Sequence, residues 1–172
     1  MRAIFQFLCM SAVAGLITVS ALAWADDKKE EKAEKIAPDK LPQKIKDAIN
    51  GRFPKAEITS AEKEKEDGKV VYDIELKHEG RKFEMDILED GTIIEIEKEV
   101  AAAKVPEALT KAVKAKYPKA TIKEVMEVNK VAGRKEMPDH YEVVIVNGGK
   151  EMEIEVSLDG KIKAGKGEKG PK

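Results

Sequence analysis

One cysteine, one tryptophan and two histidines in 172 residues leave little material for covalent catalysis or metal ligation. Cys9 and Trp24 both lie within the first 25 residues, so the rest of the chain has no disulfide and no thiol chemistry. Structural zinc takes about four Cys or His ligands, more than the pair His78 and His140 can provide. A nucleophilic triad would have to use Ser60 or Ser157, the only serines beyond residue 25. His78 stands before the Glu79-Gly80 turn and His140 after a charged insertion; both read as solvated loop-edge side chains. Gly148-Gly149 follows Asn147 in a hairpin turn, not a strand-to-helix junction, so it is no phosphate loop. No catalytic residue, no metal ligand and no cofactor is expected. An excess of charge is missing too: 32 Lys and Arg against 33 Asp and Glu leave a net of -1, which argues against a nucleic-acid binder.

The N-terminal stretch reads as an address. Arg2 precedes an apolar run from Ala3 to Ala23, and Ala23-Trp24-Ala25 is followed by Asp26-Asp27-Lys28-Lys29. This is the layout of a secretory signal peptide cut after Ala25, with small residues at the cleavage positions. An uncleaved membrane anchor is the competing reading, since about 20 apolar residues span a bilayer. Export to the periplasm or beyond is expected, with no membrane association after cleavage. Residues 26–40, charge-mixed and poor in apolar side chains, and residues 164–172, rich in Gly and Lys, are expected to be disordered tethers.

Between the tethers the chain is written twice. Leu41-Pro42 and then Phe53-Pro54-Lys55-Ala56-Glu57-Ile58 return 64 positions on as Val105-Pro106 and Tyr117-Pro118-Lys119-Ala120-Thr121-Ile122. Later landmarks repeat at an offset of 69: Tyr72 with Tyr141, Gly80 with Gly149, Asp90-Gly91 with Asp159-Gly160. An insertion in one turn, around residues 131–139, accounts for the change. Ile45, Ala48, Ile49 and Phe53, and likewise Leu109, Ala112, Val113 and Tyr117, recur at helical intervals; each segment ends against a proline. The period then falls to two: Val70, Tyr72, Ile74 and Leu76 alternate with polar residues, as do Phe83, Met85 and Ile87, with Ile94 and Ile96 continuing the pattern. In the second copy Tyr141, Val143 and Ile145, then Met152, Ile154 and Val156, match them. The strand directly after each helix carries less signal, because Glu62 to Glu66 shows no apolar alternation.

The expected class is α+β: two tandem α-β-β-β-β units, residues 41–100 and 101–163, each one helix on an antiparallel four-stranded meander. A unit of about 60 residues is marginal alone. The short helix-prone connection at 100–104 favours packing of the two into one continuous curved sheet. The Leu-Pro opening, the aromatic-Pro-Lys-Ala exit and the Asp-Gly hairpin, each occurring twice behind a signal peptide, resemble the PepSY-like family, whose members are similar to the β-lactamase inhibitor protein fold. The likeness runs from about Leu41 to Lys163. It implies exported bacterial proteins that bind or inhibit other proteins and bring no catalytic residues. The chain departs from that picture in having few outward aromatics on its sheet.

Charge placement points to a surface. The outward strand positions carry Asp73, Glu75, Glu84, Asp86, Glu95 and Glu97 against Lys77 and Lys82, and the second copy presents Glu142, Glu151, Glu153 and Glu155 against Lys161 and Lys163. The helical segments are basic instead. An exposed acidic sheet face is expected, with Asp73, Glu75, Glu84, Asp86, Glu95, Glu97, Glu153 and Glu155 as its partner-binding residues. The partner would be an unidentified envelope or secreted protein with a cationic surface, and the protein itself a monomer. Two other readings stand beside it: a solvated face that only solubilises, and weak Ca²⁺ binding by the same carboxylates. No D-x-D-x-D-G loop is present to make a calcium site specific.

Overall fold

A computed structural model describes residues 33–66 and 68–163, with the backbone of Lys166–Glu168. The expected signal peptide, its expected cleavage site and residues 26–32 lie outside the described residues. Nine antiparallel strands, β1 (Glu34–Lys35), β2 (Glu57–Glu66), β3 (Lys69–His78), β4 (Arg81–Leu88), β5 (Ile93–Glu99), β6 (Thr121–Ala132), β7 (Lys135–Asn147), β8 (Lys150–Ser157) and β9 (Lys166–Glu168), form one sheet in sequence order. Two helices, α1 (Gln43–Arg52) and α2 (Glu107–Lys116), precede β2 and β6. The fold is α+β, as expected.

Both helices pack on the same face of the sheet. Ile45, Ile49 and Phe53 of the α1 region meet Tyr72, Ile74, Leu76, Phe83, Met85, Ile87 and Ile96. Leu109 and Val113 of α2 meet Val125, Val143, Ile145, Ile154 and Val156. Ile96 of β5 lies opposite Asn129 of β6, and Val125 shares that strand face by alternation, so the two cores lie on the same side of the sheet. The helices end because Pro54 and Pro118 bar helical geometry at Phe53 and Tyr117, whose φ and ψ open to -127°, 78° and -128°, 72°. At the other end, the two Asp-Gly turns press on the helix starts. A Cβ on Gly91 (φ 91°) would lie 3.1 Å from the Lys44 carbonyl oxygen, and one on Gly160 (φ 84°) 3.3 Å from Ala108 Cβ, so positive φ and close approach both demand glycine there.

Several expectations need correction. The tether expected through residue 40 is ordered from residue 33: Glu34 and Lys35 pair with Lys63 and Glu62, and Pro38–Lys40 forms a 3₁₀ turn. The backbone amide of Ile36 donates to the Ala61 carbonyl, and its side chain packs on the α1 core, the anchor that the charged flanks obscured. Part of the C-terminal tail likewise enters the sheet as β9. The fourth strand expected in the second copy is broken into a bridge between Ile162 and Val156 and the three residues of β9, because no apolar alternation continues past Ile162. In the first copy Ile93, not Ile94, pairs with Ile87 and joins the core, since a bulge follows Asp86 and inserts one residue in β5.

The inserted residues lengthen the β6–β7 hairpin, which reaches back to the first half. Val131 packs on the α1 core, and Glu136, on the same strand face, accepts hydrogen bonds from Arg52 of α1 and Lys98 of β5.

Candidate functional site: the carboxylate face

Register decides what stands beside what on the face away from the helices. Because side chains alternate and strands pair antiparallel, Glu62, Asp73, Asp86 and Glu95 stand directly opposite one another across β2, β3, β4 and β5, and Lys130 of β6 ends the row. One step along, Glu75, Glu84 and Glu97 make a second row that runs into Val128 and then His140. Side chains directly opposite have Cβ atoms about 4.5–5.5 Å apart, and like charges so placed repel. Of the residues expected at this site, six fall into these two adjacent rows. Glu153 and Glu155 stand apart on β8, where Glu155 faces Glu142 of β7.

The acidic face is far less exposed than its charge implies. Glu97 is 1% accessible, Glu95 2% and Asp86 5%; Asp73, Glu75, Glu84, Glu153 and Glu155 are half-buried. The expectation of a freely exposed face is therefore corrected, and the cause is the single sheet. In an isolated four-stranded unit β5 would be an edge; here β6 flanks it and supplies the buried side chains Met126 and Val128. Lysines lie among the acids. Lys130 pairs with Glu95, and Lys82 reaches Glu84 at 2.9 Å and Glu124 at 3.2 Å. Burial opposes the charge on Lys82, but those two carboxylates outweigh it and hold its pKa above the ordinary lysine value.

His140 sits at the far end of the second row and is buried, which corrects its reading as a solvated loop residue. Its Nδ1 lies 2.8 Å from Asp139 and 3.9 Å from Glu155, and its Nε2 3.7 Å from Glu142. Burial disfavours the imidazolium, yet the hydrogen bonds to Glu142 and Asp139 and the charges of Glu155 and Glu142 prevail, so its pKa is raised above 6.5. A raised folded value means that this stabilisation is fully present below the unfolded pKa and is lost as pH rises through the folded one. His140→Gln should therefore lower the melting temperature most at pH 5 to 6, with the difference from the parent shrinking as pH climbs above 6.5. Thermal melts across pH check this; a pH-independent difference would show that the histidine is neutral.

His78 is half-buried, its ring 5.5 Å from that of Phe53, and takes no part in the face. Glu62 and Glu124 were missing from the expected face, and pairing across strands reveals them where no motif does; Glu142 was placed on that face by alternation but not among its binding residues. Among the described residues no three His, Cys, Asp or Glu side chains converge to hold a metal ion. The rows spread carboxylates over a sheet surface instead of folding them round a point.

The beta-lactamase-inhibitor-like, PepSY-like family matches residues 72–164, more than half of the chain. The chain belongs to that family. The peptidase propeptide and YPEB domain, PepSY, matches residues 30–97. A comparison with curated proteins finds no match. Among solved structures, a DUF2874-family protein from Bacteroides uniformis is 14% identical with a TM-score of 0.56, covering 73% of this chain and 88% of its own. A BLIP-like protein from Bacteroides fragilis is 21% identical with a TM-score of 0.51, covering 73% and 86%. A protein from Bacteroides eggerthii assigned to the periplasm is 12% identical with a TM-score of 0.56, covering 73% and 88%. At these identities the likeness is one of fold. Among the described residues no helix is long and apolar enough to cross a membrane. PepSY-like proteins are thus represented here by a chain whose sheet face is packed with acids.

Proposed function

We propose that this PepSY-like protein is an exported, non-catalytic binding module, two tandem α-β-β-β-β units behind a cleaved signal peptide, which docks a cationic surface of another envelope or secreted protein on its carboxylate face. One observation carries the reading: seven carboxylates stand in two adjacent cross-strand rows, at a cost to the sheet that a solubilising surface does not require. A basic partner laid over β2 to β5 would add cations beside these facing acids and so offset their mutual repulsion. The partner would modulate or be modulated by contact alone, in keeping with a family described as inhibitor-like. Ca²⁺ binding by the same carboxylates has less support, because these side chains do not converge on a point.

The reading is tested by capture from the native envelope with the tagged mature protein. Partners held by the parent should be lost from a variant carrying Glu84→Lys, Asp86→Lys, Glu153→Lys and Glu155→Lys. An unchanged set of captured proteins would remove the acidic face from consideration.

A further inference from the structure

The last long strand, β8, is met on its outer flank by the protein's own C-terminal residues, and the manner of that meeting describes a ligand. Ile162 bridges to Val156 and packs against the α2 core, while the next residue, Lys163, donates its backbone amide to the Glu155 carbonyl at 2.9 Å. The Lys163 ammonium lies 2.5 Å from the Glu155 carboxylate on the acidic face. Further on, Lys166 and Glu168 of β9 stand opposite Glu153 and Met152, with a break in register between them. Ile162 and Lys163 therefore already show one apolar and one basic residue added to β8, the apolar side chain toward the helices and the base toward the carboxylates.

This occupant holds only part of the strand. β9 has three residues against the eight of β8, and the tail sequence AGKGEKGPK is rich in glycine, which weakens a strand by adding backbone entropy and removing side-chain packing. A longer segment with the same alternation could pair along β8 from Lys150 to Ile154, the stretch that residues 161–163 leave to β9, taking affinity from main-chain hydrogen bonds and specificity from alternate side chains. A second copy of β8 is a poor candidate for that place. It would bring its own Glu151, Glu153 and Glu155 against the same three residues.

We propose that the outer flank of β8 is a docking edge for an extended segment of alternating basic and apolar residues, and that β9 is its resident, displaceable occupant. The proposal rests on the reading of the acidic face as a binding surface, and adds the form of the partner and a means of regulation.

The test uses the full mature chain, its Gly167→Pro variant and its Glu168→Pro variant, with a fluorescent octapeptide of alternating lysine and valine as probe. Proline removes the backbone donor that β9 needs. Gly167→Pro leaves charge unchanged, and Glu168→Pro makes the protein less acidic, so neither attracts a basic peptide by charge. Fluorescence anisotropy should show both variants binding about tenfold more tightly than the parent, as expected when a competing strand is removed. Amide signals of Lys150 to Ile154 should move on binding. Equal affinity for parent and variants would overturn the role of the tail and leave the acidic face as a docking surface. No binding to any of the three would overturn both readings. An octapeptide of alternating glutamate and valine bound as tightly as the basic one would refute the charge basis.

Discussion

Glu136→Ala should destabilise the protein by about 2 kcal/mol, and by more than the loss of either cation that it holds. The carboxylate sits on the extended β6–β7 hairpin and bridges Arg52 of α1 to Lys98 of β5, with side-chain exposures of 18%, 28% and 28%. Removing it leaves two half-buried cations facing each other without an anion. Breaking a fully buried pair costs about 3–5 kcal/mol, and partial solvation of these three groups reduces that figure. At roughly 2–4 °C per kcal/mol, melting should fall by about 4–8 °C. Burial pushes the Glu136 carboxyl upward, but the hydrogen bonds from Lys98 and Arg52 outweigh it and depress its pKa below 4.5. A depressed folded value gives stability that is present above the unfolded pKa and lost as pH falls through the folded one. The gap between parent and variant should therefore be full at neutral pH and close in acid below pH 4.5. A Glu136→Ala protein that melts with the parent at neutral pH would show the hairpin to be an ornament.

That clasp also marks where sequence reading reached its limit. The insertion was visible as a shift in the offset between repeats, but spacing along a chain does not say which way a longer hairpin bends. Helices and alternating strands were legible because their signals are local: Ile45 and Ile49 at helical spacing, Tyr72, Ile74 and Leu76 at strand spacing. β2 was weak in the sequence for a physical reason. Its apolar content is low, and it is fixed by pairing with β3 from Glu57 to Glu66, which alternation within one strand does not register. The bulge in β5 moved one isoleucine out of phase, which alternation alone cannot register. His140 was misread on the same grounds. Its burial depends on Val128, Ser157 and the acids of neighbouring strands, which meet only when β6, β7 and β8 align. The acids of the candidate site were found by strand alternation, while their arrangement in rows awaited register.

The rows make a prediction that runs against the usual direction of mutation. Asp86 lies opposite Asp73 and Glu95, and Glu97 lies opposite Glu84, so Asp86→Asn with Glu97→Gln neutralises one member of each of three facing acid pairs while keeping side-chain shape. Exposed cross-strand charge pairs are worth about 0.2–1 kcal/mol each. These two positions are almost fully buried, where repulsion is less screened. The double variant should gain about 1–3 kcal/mol at neutral pH, seen as a raised midpoint in urea with an unchanged slope. It should at the same time lose partners that the parent captures from the envelope. Stability gained where function is lost is the signature of a surface held under strain for binding. A double variant less stable than the parent would mean that these acids are held by their lysines as an internal network, and the face would then be part of the scaffold, with the docking edge at β8 left to stand on its own evidence.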